Sequence, residues 1–241
     1  MTEIKAILFD LDGTLLDSNM QVFLPHYIQR IAGRVAHLIP PNEFIAHLLA
    51  ATQAMVDNDG RATNAQVFAE TFYPAVGHSQ AELEPIFMDF YEQDYPALRS
   101  LTARKPEARP TVQLAFDLGY DVVIATNPLF PEIATHQRMA WAGVDGLPYR
   151  RVTTYENSRF CKPNPRYFAE ILDAIDCAPE AALVVGDEAM DMVAATIGCT
   201  TFLVPNAATQ LNGNVLEPAY RGTLTDVAAL LRASATRANA S

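Results

Sequence analysis

Short apolar runs alternate with longer amphipathic segments along most of the chain. Four runs, at residues 4–9, 120–126, 182–185 and 200–204, lack polar alternation and predict strands buried on both faces. Helical patterns lie between and after them, at residues 111–118, 131–142, 165–175, 189–197 and 224–233. Three of these helices end at a glycine, the usual residue after a helix. Strands that alternate with helices predict an α/β fold with a doubly wound parallel sheet.

One long stretch interrupts this alternation. Residues 17–103 contain no convincing strand, and helical patterns cover about residues 21–39, 41–56, 64–76 and 80–98. Pro25 falls inside the first pattern, so that helix is expected to begin after it. We therefore expect an all-helical cap domain at residues 17–103, inserted after the first strand. Residues 1–16 and 104–241 would form the α/β core domain.

The first predicted strand ends in two aspartates, within the sequence Asp10-Leu-Asp12-Gly-Thr14. Open parallel sheets bind their ligands at the carboxyl ends of the strands. A pair of carboxylates there can divide the chemistry, one as the nucleophile and the other as a general acid and base. A turn rich in Asp and Gly is also common after strands, so this motif alone does not establish a site.

Polar residues follow the next strands as well. Thr126 and Asn127 come after the second, and Asp187 and Asp191 after the third. Each has an ordinary explanation, such as a turn or a helix N-cap. Their joint position at the strand ends indicates an acidic centre that needs a cation, and several carboxylate oxygens suit Mg²⁺. Lys162 lies in Cys-Lys-Pro-Asn-Pro, where the two prolines restrict the backbone. A lysine fixed in this way can extend its ammonium toward that centre.

Taken in order, these four elements resemble the haloacid dehalogenase superfamily, in particular its helically capped, phosphoglycolate phosphatase-like branch. The resemblance implies that Asp10 is phosphorylated and that Asp12 protonates the leaving group and then activates water. It also implies that Thr126 and Lys162 hold the phosphoryl oxygens, with Asn127 beside them. The metal site would be formed by Asp10, Asp12, Asp187 and Asp191, with Mg²⁺ as the cofactor.

The residues narrow the reaction within that superfamily. Asp12 is present, and a general acid is needed to expel an alkoxide but not a halide, which favours phosphoryl transfer over dehalogenation. Phosphonoacetaldehyde hydrolases need a cap lysine, and residues 17–103 contain none. We therefore expect a Mg²⁺-dependent phosphohydrolase that cleaves a phosphate monoester through an aspartyl-phosphate. A sugar-phosphate mutase and a non-catalytic binding protein on the same scaffold remain alternatives.

Composition sets the remaining expectations. The formal net charge is −11, which disfavours nucleic acid and anionic membranes as partners. The three cysteines show neither a disulfide framework nor zinc-ligand spacing, so free thiols are expected. No signal peptide is apparent, and we expect a cytoplasmic monomer or homodimer that acts on a small phosphorylated metabolite. Arg61, in the loop after the second cap helix, is a candidate contact for a substrate anion or an ordinary solvated arginine.

Overall fold

A six-stranded parallel sheet forms the centre of the molecule. The computed structural model describes residues 3–209 and 217–238. The strands are β1 (Ala6–Phe9), β4 (Asp121–Ile124), β5 (Arg151–Val152), β6 (Ala182–Gly186), β7 (Thr200–Leu203) and β8 (Tyr220–Arg221). Their order is β5-β4-β1-β6-β7-β8, and every neighbouring pair is parallel. The predicted fold class is confirmed. The edge strands β5 and β8 escaped prediction because two residues cannot show a period.

Helices cover the sheet. They are α5 (Ala108–Asp117), α6 (Glu132–Ala142), α7 (Pro165–Ala174), α8 (Ala189–Met192) and α9 (Leu224–Ala238). Ile7 and Phe9 pack in one hydrophobic cluster, whereas Ala6 and Leu8 pack in the other. Alternate residues of β1 therefore face opposite layers, and both faces are buried. This explains why β1 is apolar at every position instead of at every second one.

Between β2 (Leu16–Ser18) and β3 (Thr102–Arg104) the chain forms four helices. They are α1 (Met20–Arg34), α2 (Pro41–Val56), α3 (Asn64–Val76) and α4 (Gln80–Asp89), and helical turns continue from Phe90 to Leu101. The expectation that this region lacks strands is wrong at its ends, because β2 and β3 pair in an antiparallel ribbon. Three residues per strand are too few to stand out in the sequence.

The first helix also begins earlier than expected. α1 starts at Met20, and the side chain of Asn19 accepts a hydrogen bond from the Gln21 N–H at 2.9 Å. Pro25 is the sixth residue of the helix, where it removes one hydrogen bond of the second turn. The N-cap and the packing of Phe23 and Tyr27 offset that loss, because both side chains are buried.

Two further observations concern the cysteines and the helices. Cys161, Cys177 and Cys199 are all free, as predicted, and the first and last are buried. Within residues 3–209 and 217–238, none of the helices combines the length and the apolar character that crossing a bilayer requires.

Candidate active site

Three carboxylates meet at the carboxyl ends of the central strands. Asp10 directly follows β1, Asp187 follows β6, and Asp191 lies in the short helix α8. Each offers an oxygen within 4.8 Å of the others, and all three side chains are buried. Since β1 and β6 are parallel neighbours in register, their ends carry Asp10 and Asp187 to the same point. Asp10, Asp187 and Asp191 are called the acidic cluster below.

The ammonium of Lys162 is the cation that faces this cluster. Its Nζ donates to Asp10 Oδ1 at 2.8 Å and to Asp191 Oδ1 at 2.6 Å. Its backbone N–H donates to Asn127 Oδ1 at 3.2 Å, so Asn127 helps to position the segment that carries the lysine. Burial alone would lower the pKa of Lys162, but the charges of Asp10 and Asp191 outweigh burial and raise that pKa well above its ordinary value.

Lys162 is the lysine in hydrogen-bond contact with the cluster, and its single charge does not neutralise three buried carboxylates. Burial, and then the negative charge of Asp10, raise the pKa of Asp187 above its ordinary value. Burial also raises the pKa of Asp191, although Lys162 partly opposes it. Two neutral donors hold Asp187 in place: Thr14 Oγ1 at 2.9 Å from Oδ1 and Asn206 Nδ2 at 2.7 Å from Oδ2. The excess negative charge favours binding of a cation.

The free oxygen of Asp10 indicates where such a cation fits. Asp10 Oδ2 is buried and has no hydrogen-bond partner among the residues that the structure describes. A buried, unpartnered carboxylate oxygen is costly unless a ligand satisfies it. Asp187 and Asp191 add further hard oxygen donors within reach, which is the donor set that Mg²⁺ prefers. The residues present therefore fit the predicted metal.

Asp12 lies outside the acidic cluster. Its carboxylate is held instead by Arg138, whose Nε is 3.1 Å from Oδ2, and by Ser18 Oγ at 3.3 Å from Oδ1. Burial raises the pKa of Asp12, Arg138 opposes that effect, and Asp10 adds to it. The Asp12 carboxylate, predicted as both acid–base and metal ligand, is therefore not one of the three carboxylates that come together, and a buried arginine engages it. Its acid–base and metal roles stay predictions.

The turn between Asp10 and Thr14 needs a glycine. Gly13 has a φ of +91°, a conformation that other residues rarely adopt. A Cβ at this position would also collide with the carboxylate of Asp187. Gly13 therefore lets the turn approach Asp187 closely enough for Thr14 to reach it.

The contacts described for Thr126 and Arg61, the other predicted site residues, are to groups outside the acidic cluster. Thr126 is buried two residues after β4, and its carbonyl accepts from the hydroxyls of Thr153 at 2.7 Å and Tyr167 at 2.8 Å. Arg61 lies in the loop between α2 and α3, where it forms an exposed ion pair with Glu70 at 2.7 Å. That pair gives Arg61 a partner other than substrate, so its substrate contact stays a prediction.

Sequence reasoning missed three residues that support the site. Asn206 and the side-chain role of Thr14 carry no signal of their own, since each is one polar residue near a strand or turn. Arg138 did carry one: it occupies the face of α6 that also bears the buried residues Ala134 and Met139. A lone arginine on the apolar stripe of a helix indicates a buried ionic partner.

The fold and the site together define an α/β enzyme with an acidic centre at the carboxyl edge of its sheet. The family model described as haloacid dehalogenase-like hydrolase matches residues 4–196, and the chain belongs to this family.

Individual relatives agree with that assignment. A phosphoglycolate phosphatase of Vibrio vulnificus (strain YJ016) is 26% identical over 212 residues, covering 83% of each chain. Pyrophosphatase PpaX of Bacillus cereus (strain ATCC 10987 / NRS 248) is 23% identical over 199 residues, covering 79% of this chain and 78% of that protein. The crystal structure of a HAD phosphatase from Thermococcus onnurineus shares the fold, with a TM-score of 0.59 and 19% identity over 95% and 98% of the two chains. The predicted family and enzyme class, a hydrolase with phosphatase relatives, are thereby confirmed.

Proposed function

We propose that this enzyme is a Mg²⁺-dependent phosphohydrolase that cleaves the phosphate monoester of a small cytoplasmic metabolite through an aspartyl-phosphate at Asp10. The state of the Asp10 carboxylate carries this proposal. Lys162 holds one oxygen, and the other is buried without a partner among the described residues. Such a carboxylate is oriented and ready to bind or attack an electrophile.

The acidic cluster would hold the metal, which supplies charge stabilisation for the transferring phosphoryl group when bound. Asp10 attacks phosphorus, and the bond from phosphorus to the ester oxygen breaks. Asp12 donates its proton to the departing oxygen, and then takes a proton from the water that attacks the aspartyl-phosphate. Inorganic phosphate leaves, and Asp10 and Asp12 return to their starting states.

The cations and hydrogen-bond donors near Asp10 and Asp12 would have separate roles. The ammonium of Lys162 and the hydroxyl of Thr126 would bind phosphoryl oxygens, where negative charge accumulates. Arg138 is a positioning residue: its buried guanidinium holds the carboxylate of Asp12 from the side of α6. Tyr95, whose hydroxyl accepts from Arg138 Nη1 at 2.8 Å, connects that pair to the helical region before β3.

We also propose that residues 17–103 act as a cap and that the rest of the chain is the catalytic core. The support is the β2–β3 ribbon, which gives this helical region only one entry and one exit. The region also contacts the core outside this ribbon, because Asn64 Nδ2 donates to the carbonyl of Pro128 at 3.2 Å. A cap attached in this way can select the substrate and exclude water.

The test of the proposed function is Asp10→Asn, which removes the nucleophile while nearly preserving its shape. Hydrolysis of 4-nitrophenyl phosphate with Mg²⁺ should fall far more than tenfold, a barrier change above about 1.4 kcal/mol. The matched control is Asp173→Asn, the same change at an exposed position of α7, and it should leave both activity and melting temperature unaltered. Activity of Asp10→Asn within tenfold of the wild type would refute the assignment of the nucleophile.

A further inference from the structure

Two buried hydroxyl groups hold the carbonyl oxygen of Thr126. The ladder between β4 and β5 ends at Ile124, whose carbonyl accepts from the N–H of Thr153 at 3.0 Å. Thr126 lies two residues beyond that point, and none of the backbone N–H groups in the described part of the chain donates to its oxygen. The hydroxyls of Thr153 and Tyr167 donate to it instead, at 2.7 Å and 2.8 Å. Thr153 and Tyr167 are called the hydroxyl pair below.

The hydroxyl pair comes from two elements that flank Thr126. Thr153 directly follows β5, and Tyr167 is the third residue of α7. Both residues are fully buried, and their hydroxyl oxygens are 3.0 Å apart. Each hydroxyl has one proton to donate, and a carbonyl oxygen has two lone pairs, so Thr126 can accept from both. Without the pair, this carbonyl would have no donor among the described residues, which is a costly state away from water.

The hydroxyl of Tyr167 is not needed to fill space. Its ring packs edge-on against Phe168, with 4.9 Å between the ring centroids, and both residues belong to one apolar cluster of the core. A phenylalanine would fill this position equally well. A buried hydroxyl is costly unless it forms hydrogen bonds, so its contribution here is the contact with Thr126 and Thr153.

The peptide held in this way connects the two residues proposed to bind phosphoryl oxygens. Because a peptide unit is planar, holding the oxygen of Thr126 also fixes where Asn127 begins. The side chain of Asn127 accepts from the backbone N–H of Lys162 at 3.2 Å. The ring of Tyr167 in addition lies 5.7 Å from Lys162 Nζ. One side chain therefore supports both Thr126 and Lys162.

We propose that Tyr167 is a positioning residue for phosphate binding, with Thr153 as its partner. The hydroxyl pair fixes the peptide after Thr126, so that the Thr126 hydroxyl is oriented before a phosphate arrives. This inference rests on the proposed function, which places the phosphoryl group at Asp10, and it adds two residues to those predicted for the site. A donor already in place binds its acceptor without the entropic cost of ordering, and a small displacement weakens the hydrogen bond.

The test uses Tyr167→Phe, which removes the hydroxyl and keeps the ring beside Lys162. Binding of inorganic phosphate in the presence of Mg²⁺, measured by isothermal titration calorimetry, should weaken about tenfold. Thr153→Val, which removes the other hydroxyl, should weaken it in the same direction. The matched control is Tyr120→Phe, because the hydroxyl of Tyr120 also donates to a backbone carbonyl, that of Leu231 at 3.2 Å. Tyr120 precedes β4, at the opposite edge of the sheet, so phosphate affinity should stay unchanged.

A double-mutant cycle with Thr126→Val shows whether Tyr167 acts through Thr126. Without the Thr126 hydroxyl, Tyr167→Phe should weaken phosphate binding less than about threefold, since the group that it positions is gone. The Mg²⁺ concentration for half-maximal activity should not change in Tyr167→Phe, because its hydroxyl bonds to Thr126 and Thr153 and not to the acidic cluster. A residue that only stabilises the core would lower the melting temperature and leave phosphate affinity unaltered.

The outcomes separate this inference from the proposed function. Wild-type phosphate affinity in Tyr167→Phe, or an equal loss with and without the Thr126 hydroxyl, would overturn the positioning role. Wild-type protein that binds phosphate but hydrolyses no ester would overturn the phosphohydrolase, and weaker binding by Tyr167→Phe would still support the positioning role. Wild-type protein that binds no phosphate would overturn both.

Discussion

Replacing Arg138 by methionine tests how Asp12 is held. The substitution keeps an unbranched side chain but removes the guanidinium, which is 1% exposed and lies 3.1 Å from Asp12 Oδ2. Asp12 would then be buried without its cation, a change that costs about 3–5 kcal/mol for broken buried pairs. At about 2–4 °C per kcal/mol for a protein of this size, the melting temperature should fall by roughly 6–20 °C.

The effect on activity should depend on the leaving group. A correctly placed general acid contributes about 10²–10⁴ in rate when the leaving group is a poor one. With Asp12 misplaced, kcat/KM for an alkyl phosphate should fall at least about a hundredfold. The rate with 4-nitrophenyl phosphate should fall much less, because nitrophenolate departs without a proton. A residue that only stabilises the fold would not produce this difference between substrates.

The control is Arg150→Met, which breaks the exposed pair between Arg150 and Asp121 at 3.2 Å. Surface pairs contribute little, so its melting temperature and both rates should stay near those of the wild type. Thermal melting by circular dichroism and steady-state kinetics at 25 °C supply the measurements. An equal loss on both substrates in Arg138→Met would show that Arg138 does not act through Asp12, and our reasoning would be wrong.

Three further predictions concern the site. Gly13→Ala should abolish activity and lower the melting temperature, since its Cβ would strike Asp187; a fully active variant would contradict the close turn. Lys162→Ala should lower kcat/KM for every phosphate ester alike, whereas Arg61→Ala should act only on a substrate with a second anion; equal effects of both would exclude a selective role for Arg61. Burial raises the pKa of Asp187 to about 8, so the folded state keeps a proton that the unfolded chain releases near pH 4. The free energy of unfolding of EDTA-treated protein should therefore fall as the pH rises from about 4 to 8. Added Mg²⁺ should restore the melting temperature at pH 8. The same melting temperature by calorimetry with and without Mg²⁺ would refute the metal site.

The sequence alone determined the four inner strands of the sheet and the polar residues that follow them. The four predicted strands are buried on both faces, so their apolar runs are continuous and stand out from the amphipathic helices between them. Parallel strands end at one edge of the sheet, and this predicts that Asp10 and Asp187 meet there. Lys162 was predicted to reach them from a segment that its two neighbouring prolines restrict. The outline of the helical insertion was equally clear, because its helices repeat an apolar stripe over many turns.

Only the tertiary structure decided how the site is supported. Arg138 meets Asp12, and Asn206 meets Asp187, across 126 and 19 residues of chain respectively. No local pattern records a pairing at such distances, because it depends on where separate elements cross. The ribbon of β2 and β3 was missed for a related reason: each strand is three residues long, and its partner, rather than its own sequence, stabilises it.

A cavity of about 520 Å³ between the helices α1 to α4 and the core shows the same division most clearly. Apolar residues of these helices, among them Phe72, Tyr73 and Phe87, recur at the spacing of an ordinary helical core. In the structure Phe72 is fully buried, whereas Tyr73 and Phe87 line the open space. Helical periodicity determines which side of a helix turns inward. Whether that side meets another side chain or an empty volume depends on the distances between helices, which the packing of the whole molecule sets.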